Sequence, residues 1–160
     1  MAPTEDILAR LEQLEKRVAI YDLIATYGPA VDSGSARAAA SLWSTEGTYD
    51  YGNQTLAGRS AVEAMVNGPE HQDLIAHGAG HVLGFPLVQI DGDRATATCY
   101  SQVWLHKDGR FLPWRLSANR WELTWVGSAW KVDSRRTYQL NGDEQARALL
   151  GQAVAGSDQP

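Results

Sequence analysis

From Ile7 to Ile24 the apolar side chains return every three or four positions, at Ile7, Leu11, Leu14, Val18, Tyr21 and Ile24, with Glu, Gln, Lys and Arg between them. This period predicts an amphipathic helix from about Thr4 to Tyr27. Thr4 is placed to cap it, and Glu5 and Asp6 sit in its electropositive first turn. Pro29 has no amide hydrogen and restricts the residue before it, so the helix is expected to end just after Tyr27. Asp32-Ser33-Gly34-Ser35 then reads as a turn and a fresh cap. An alanine-rich second helix is expected from Arg37 to Trp43, and a third from Ala61 to Val66, ending before Gly68-Pro69.

At Gly47 the pattern changes to a period of two. Thr48-Tyr49-Asp50-Tyr51 alternates, which puts Tyr49 and Tyr51 on one face of a strand. The segment His71–Gly80 follows neither period. Val82–Ile90 is apolar and partly β-branched, and Asp91-Gly92-Asp93 is a reversal signal. Arg94–Leu105, Phe111–Val126 and Ala129–Leu140 are three further strands, separated by Lys107-Asp108-Gly109 and Gly127-Ser128. Two or three helices followed by long antiparallel strands make an α+β layout, with helices over one face of a curved sheet. Residues 1–142 read as one domain, and 143–160 as a C-terminal helix with a flexible tail.

Strand parity sorts the side chains. Thr96, Thr98, Tyr100, Gln102, Trp104 and His106 share one face; Ala95, Ala97, Cys99, Ser101, Val103 and Leu105 share the other. Neither face is strongly charged, so both should be covered, one by helices and one by the second subunit of a homodimer. Asn119, Trp121, Leu123 and Trp125 form one face of the next strand. In the last, Trp130, Val132, Ser134, Arg136 and Tyr138 oppose Lys131, Asp133 and Arg135. Any β-bulge would exchange the two faces beyond it.

Composition narrows the classes. The 160 residues are 44% hydrophobic and 21% charged, an ordinary globular balance for one domain. Fourteen Lys and Arg against 19 Asp and Glu give a formal charge of −5, and no basic stretch is present, which argues against a nucleic-acid partner. No apolar run approaches the roughly 20 residues that span a bilayer, and no basic-then-apolar leader is seen at the start. A soluble protein is expected, and a reducing cytoplasm is compatible with the single cysteine, Cys99. Asn53-Gln54-Thr55 matches a glycosylation triplet and is read as coincidence.

Most catalytic signatures are missing. His77-Gly78-Ala79-Gly80-His81 lacks the His-Glu-x-x-His arrangement, and in an extended chain its imidazoles would stand about 13 Å apart. No metal site is assigned. Cys99 lies mid-strand, where a small buried thiol is the ordinary reading. Neither a Gly-x-Ser-x-Gly elbow nor a glycine-rich nucleotide loop occurs, so no cofactor is assigned. What remains is a scattered polar set: Tyr27, Asp32, Tyr49, Tyr51, His81, Tyr100, Gln102, Asn119 and Arg136. Within it, an imidazole beside a carboxylate could accept a proton, and phenols could hold a carbonyl oxygen as it becomes an enolate. Each residue also has a structural explanation, as core tyrosine, turn aspartate or ion-pair arginine.

The order of these residues resembles a known family. Tyr21–Tyr27, Asp32, Leu42–Asp50, Gly58-Arg59-Ser60-Ala61-Val62, His81, Ile90–Ala95 and Trp130–Arg136 together look like a SnoaL-like domain of the NTF2-like superfamily, across roughly residues 5–140. Similarity is greatest to the branch containing scytalone dehydratase and bile-acid dehydratase. The resemblance implies a cone: N-terminal helices closing over a strongly curved mixed sheet around a pocket. It implies an Asp32–His81 pair, with Tyr27 and Tyr49 or Tyr51 near the substrate oxygen and Arg136 or its neighbour Arg135 near the mouth. On the middle strands the chain departs from related dehydratases, offering Tyr100, Gln102 and His106 where they place a second histidine or an acid.

The resulting expectation is a cofactor-independent lyase (dehydratase) or isomerase acting on a small, largely apolar hydroxylated carbonyl compound or a polycyclic ligand. Asp32, His81, Tyr27 and Tyr49 would do the chemistry. Tyr51, Tyr100, Gln102, Trp104, Asn119, Trp121 and Arg136 would line the pocket. The family also holds non-catalytic ligand-binding or dimer-forming proteins and small subunits of ring-hydroxylating oxygenases, so fold alone does not select the reaction.

Overall fold

The computed structural model describes residues 3–52 and 54–157. Asn53 of the glycosylation triplet and the last three tail residues lie outside the described residues. In chain order the elements are α1 (Pro3–Asp32), α2 (Ala36–Ser41), β1 (Trp43–Tyr51), β2 (Gln54–Ala57), α3 (Arg59–Asn67), α4 (Pro69–Ala76), β3 (Ala79–Leu83), β4 (Leu87–Asp91), β5 (Arg94–Lys107), β6 (Arg110–Val126), β7 (Ala129–Gln139) and α5 (Glu144–Ser157). The strands form one mixed, unclosed sheet in the order β2-β1-β7-β6-β5-β3, with β4 also on β5. Among the described residues only the β1–β7 pairing is parallel. Helices α1, α2 and α3 pack on its concave face, giving the expected α+β cone.

Several boundaries differ from the sequence expectation, each for a physical reason. The first helix does not stop after Tyr27; it runs through Pro29 to Asp32. Pro29 forfeits one helical hydrogen bond, but Tyr27, Ala30 and Val31 beside it are buried in the core. Burial of that turn outweighs the lost bond. Trp43 does not end a helix but opens β1, where it is fully buried and its carbonyl accepts from Arg59 Nε and Nη2 at 3.0 and 2.7 Å. Val82–Ile90 is two strands: Gly84-Phe85-Pro86 interrupts it, and β3 and β4 pair with different halves of the long β5. The unassigned His71–Gly80 holds most of α4, started by Pro69, and the first half of β3.

The core lies between α1, α2, α3 and the concave sheet face. Ile20, Ile24, Val31, Val62 and Val66 meet Trp43, Trp121, Leu123 and Val132 there. From β5 it is Ala95, Ala97 and Cys99 that point inward. The convex face is covered in part by the chain's own α5, whose Ala146 and Leu149 pack on Ala118. Two irregularities aim the strands. In β7, Leu123 pairs with Val132 while Glu122 pairs with Ser134, so Asp133 is an extra residue. In β6, Val103 pairs with Arg115 while Trp104 pairs with Pro113, which makes Trp114 extra. Both bulges exchange the faces beyond them.

Two glycines permit close approaches. A Cβ on Gly47 would lie 2.4 Å from the Val132 carbonyl oxygen, so the β1–β7 crossing admits no side chain. A Cβ on Gly28 would lie 2.4 Å from the His81 carbonyl oxygen. Gly28 therefore lets α1 rest directly on β3. One helical turn later, α1 ends at Asp32.

Candidate active site

Asp32 and His81 meet where α1 ends against β3. Asp32 Oδ1 is 2.6 Å from His81 Nδ1, and Asp32 Oδ2 accepts the His81 backbone N–H at 2.7 Å. One carboxylate thus grips both the imidazole and the strand that carries it. A carboxylate at a helix C-terminus faces the negative end of the helix dipole, and these two N–H donors offset that. Because Asp32 only accepts, the proton on the ring sits on Nδ1, which leaves the lone pair on Nε2. Nε2 has no hydrogen-bond partner among the described residues. The imidazole side chain is 14% exposed and the carboxylate 26%.

His81 lines a cavity of about 250 Å³ with Tyr27, Tyr49, Tyr51, Met65, Glu70, His71, Leu74, Trp114 and Arg115. A smaller inner chamber of about 40 Å³ continues between Tyr27, Tyr49, His81, Ser101, Arg115 and Arg135. Tyr27 packs edge-on to Tyr49 with ring centroids 6.4 Å apart. Burial above all, and then the neighbouring Tyr49, push the Tyr27 phenol well above its ordinary range, against the pull of Arg135. Tyr51 is also raised, first by burial and then by Tyr49 and Glu70. Its hydroxyl is committed to Gln54 Oε1 at 2.7 Å.

Behind the tyrosines lies a buried cation. Arg135 is 3% exposed, and its guanidinium carbon stands 4.3, 4.5 and 4.2 Å from the ring centres of Tyr27, Tyr49 and Trp121. Asn119 Oδ1 accepts from Arg135 Nε and Nη2 at 3.1 and 2.7 Å and from Thr137 Oγ1 at 2.8 Å. Asn119 Nδ2 in turn donates to Ser101 Oγ at 2.7 Å.

Residues 12–136 match the SnoaL-like domain family. The chain belongs to the SnoaL-like family. No functionally curated protein matches it. A crystal structure of an NTF2-like protein with a cystatin-like fold from Novosphingobium aromaticivorans is 42% identical, with a TM-score of 0.91 over 94% of this chain and 98% of that one. Mycobacterium tuberculosis Rv3472, of unknown function, is 20% identical with a TM-score of 0.74, covering 97% of this chain and 92% of its own. A Catenulispora acidiphila protein solved in complex with S-DNPA is 16% identical with a TM-score of 0.68, covering 79% and 94%. The last two are likenesses of fold.

Within this SnoaL-like domain the expected residues fall into three groups. His81, Tyr27, Tyr49 and Tyr51 converge at the cavity, and Asp32 stands behind His81 without lining it. Asn119 and Trp121 do not line it; they are fully buried behind it, around Arg135. Tyr100, Trp104 and Arg136 are turned away. Tyr100 is 51% exposed on the convex face, because the inward side of β5 is the Ala97–Cys99–Ser101–Val103 side. Trp104 donates to Gln102 Oε1 at 2.9 Å on that same face, and Gln102 only borders the inner chamber as its strand passes. Arg136 is exposed, and the extra residue Asp133 is the cause: beyond that bulge Arg135 and Thr137 point inward.

The sequence reading missed Glu70 and His71. His71 Nε2 donates to the Val31 carbonyl at 2.8 Å, and its ring lies 5.9 Å from that of His81. Proline at the first position of a helix was the available signal. Arg115 and Trp114 were also missed, since the bulge at Trp114 has no sequence mark. A wider depression of about 370 Å³ near Asp91, Arg94, Glu122 and Asp133 holds no imidazole, and an Arg94–Asp133 contact at 3.8 Å spans it. It offers no comparable chemistry.

Proposed function

We propose that this SnoaL-like protein is a cofactor-independent lyase or isomerase for a small, largely apolar hydroxylated carbonyl compound. The observation that carries the reading is the 2.6 Å Asp32–His81 contact at the wall of a tyrosine-lined cavity, within the roughly 2.6–3.2 Å a working pair requires. In this reading His81 Nε2 removes the proton α to the carbonyl. The electron pair moves onto the carbonyl oxygen, which Tyr27 and Tyr49 hold by phenolic hydrogen bonds. Reformation of the carbonyl expels the β-hydroxyl, and the imidazolium returns its proton so that water leaves. Returning the proton to a different carbon instead gives isomerisation. Asp32 orients the ring and stabilises its charged form. A protein of the same fold solved in complex with S-DNPA is in keeping with a ligand-binding cavity.

The test is a screen of β-hydroxy ketones for water loss, followed by absorbance of the conjugated product. Active wild-type protein and an Asp32→Asn variant that folds normally but turns over more than ten-fold slower support the reading. Equal turnover by the two proteins overturns it. A homodimer would use the convex face, where Tyr100, Phe111 and Leu116 are exposed. We propose that two copies meet there, and sedimentation as a monomer would refute that pairing.

A further inference from the structure

Building on the reading of the cavity as a substrate site, we propose that its substrates carry an anionic oxygen group, a carboxylate, which docks in the inner chamber against Arg115 beside the buried charge of Arg135. Both guanidiniums line that chamber. None of the ion pairs among the described residues includes either one. Asp32 cannot serve them, because His81 takes both of its oxygens. Glu70 lines only the outer cavity and is exposed to water. The inner end of the site therefore holds two positive charges and no free negative one.

Arg135 is compensated by polar and aromatic groups alone, and its Nη1 is buried without a partner. Arg115 is held in place by stacking 4.1 Å over the Trp114 ring, and its Nε is likewise buried without a partner. A neutral apolar ligand entering the cavity would strip water from Arg115 and leave its charge unpaired, which is unfavourable. A carboxylate replaces that water with charge-assisted hydrogen bonds to a fork already fixed in direction. Size agrees. The chamber of about 40 Å³ admits a group of a few atoms and no ring, while the outer cavity of about 250 Å³ takes the apolar body.

The experiment compares 2-naphthoate with its neutral analogues 2-naphthamide and methyl 2-naphthoate, titrated against the full chain by tryptophan fluorescence and calorimetry. Wild-type protein is expected to bind the carboxylate at least ten-fold more tightly than either analogue. In Arg115→Gln that preference should fall below three-fold, and Arg115→Lys should restore part of it. Equal binding of acid and amide, no binding of any probe, or a preference that survives Arg115→Gln overturns the proposal. The probes undergo no elimination, so the result is independent of turnover. A carboxylate preference without His81-dependent turnover leaves the anion site standing and removes the lyase reading; turnover of neutral ketones with no carboxylate preference does the reverse.

Discussion

Replacing Gly28 with alanine tests how the fold builds the site. In an ordinary helix interior this change stabilises by about 0.5–1 kcal/mol, because glycine loses more freedom on folding. Here the new Cβ would stand 2.4 Å from the His81 carbonyl oxygen, 1.0 Å inside the 3.4 Å at which ordinary contact begins. The obstacle is backbone, so α1 and β3 must separate. Asp32 lies one turn beyond Gly28, and its two contacts with His81, now 2.6 and 2.7 Å, would open towards 3.6 Å, where no hydrogen bond remains. Overpacking costs roughly 1–3 kcal/mol, and loss of charge-assisted bonds adds about 1.5–3 kcal/mol when the helix cannot relax. Against the gain in helix propensity, the net is a destabilisation of roughly 1.5–5.5 kcal/mol. For a chain of this size that is a fall in Tm of roughly 3–20 °C. Urea and thermal unfolding read the stability, and the imidazole ¹⁵N spectrum reads whether Nδ1 still carries the proton. A Gly28→Ala protein as stable as wild type, with the His81 tautomer unchanged, would refute the claim that this close approach sets the pair.

Other consequences follow from the same packing. Asn119→Leu removes the acceptor of Arg135 Nε and Nη2, and stranding those donors should destabilise by about 2–3 kcal/mol in urea unfolding; a loss below 0.5 kcal/mol would contradict it. The raised Tyr27 phenol binds its proton more tightly folded than unfolded. Its contribution is complete below the ordinary phenol value near 10 and is lost as pH rises above it, where the unfolded chain ionises first. Alkaline difference spectra should therefore show one tyrosine that ionises only on unfolding, and Tyr27→Phe should abolish that late step. Burial raises the Cys99 thiol, so a disulfide reagent should modify native protein far more slowly than unfolded protein.

What the sequence made legible was whatever depends on local period. The long strands, the α+β layout and the Asp32–His81–Tyr27–Tyr49 ordering could all be read from spacing and resemblance. Illegible were the features decided by tertiary context. Pro29 reads as a stop, and only burial of Tyr27, Ala30 and Val31 carries α1 on to Asp32. Parity was reliable on β6 from Asn119 to Trp125, which runs without a break. It failed on β7, where the extra Asp133 turns Arg136 outward and Arg135 inward. On β5 the alternation was visible, but two uncharged faces gave no sign of which one met the helices. The choice fell on small residues, Ala95, Ala97 and Cys99, because Trp43 and Trp121 already fill the interior.

The central claim is that His81, held by Asp32, takes a proton from carbon next to a carbonyl. Solvent exchange measures that step directly. β-Hydroxy ketones are incubated with protein in deuterium oxide, and deuterium at the α-carbon is followed by NMR. Wild-type protein is predicted to catalyse incorporation, His81→Gln to abolish it, and Asp32→Asn to slow it more than ten-fold. No incorporation by wild type, or equal incorporation by His81→Gln, would contradict the account.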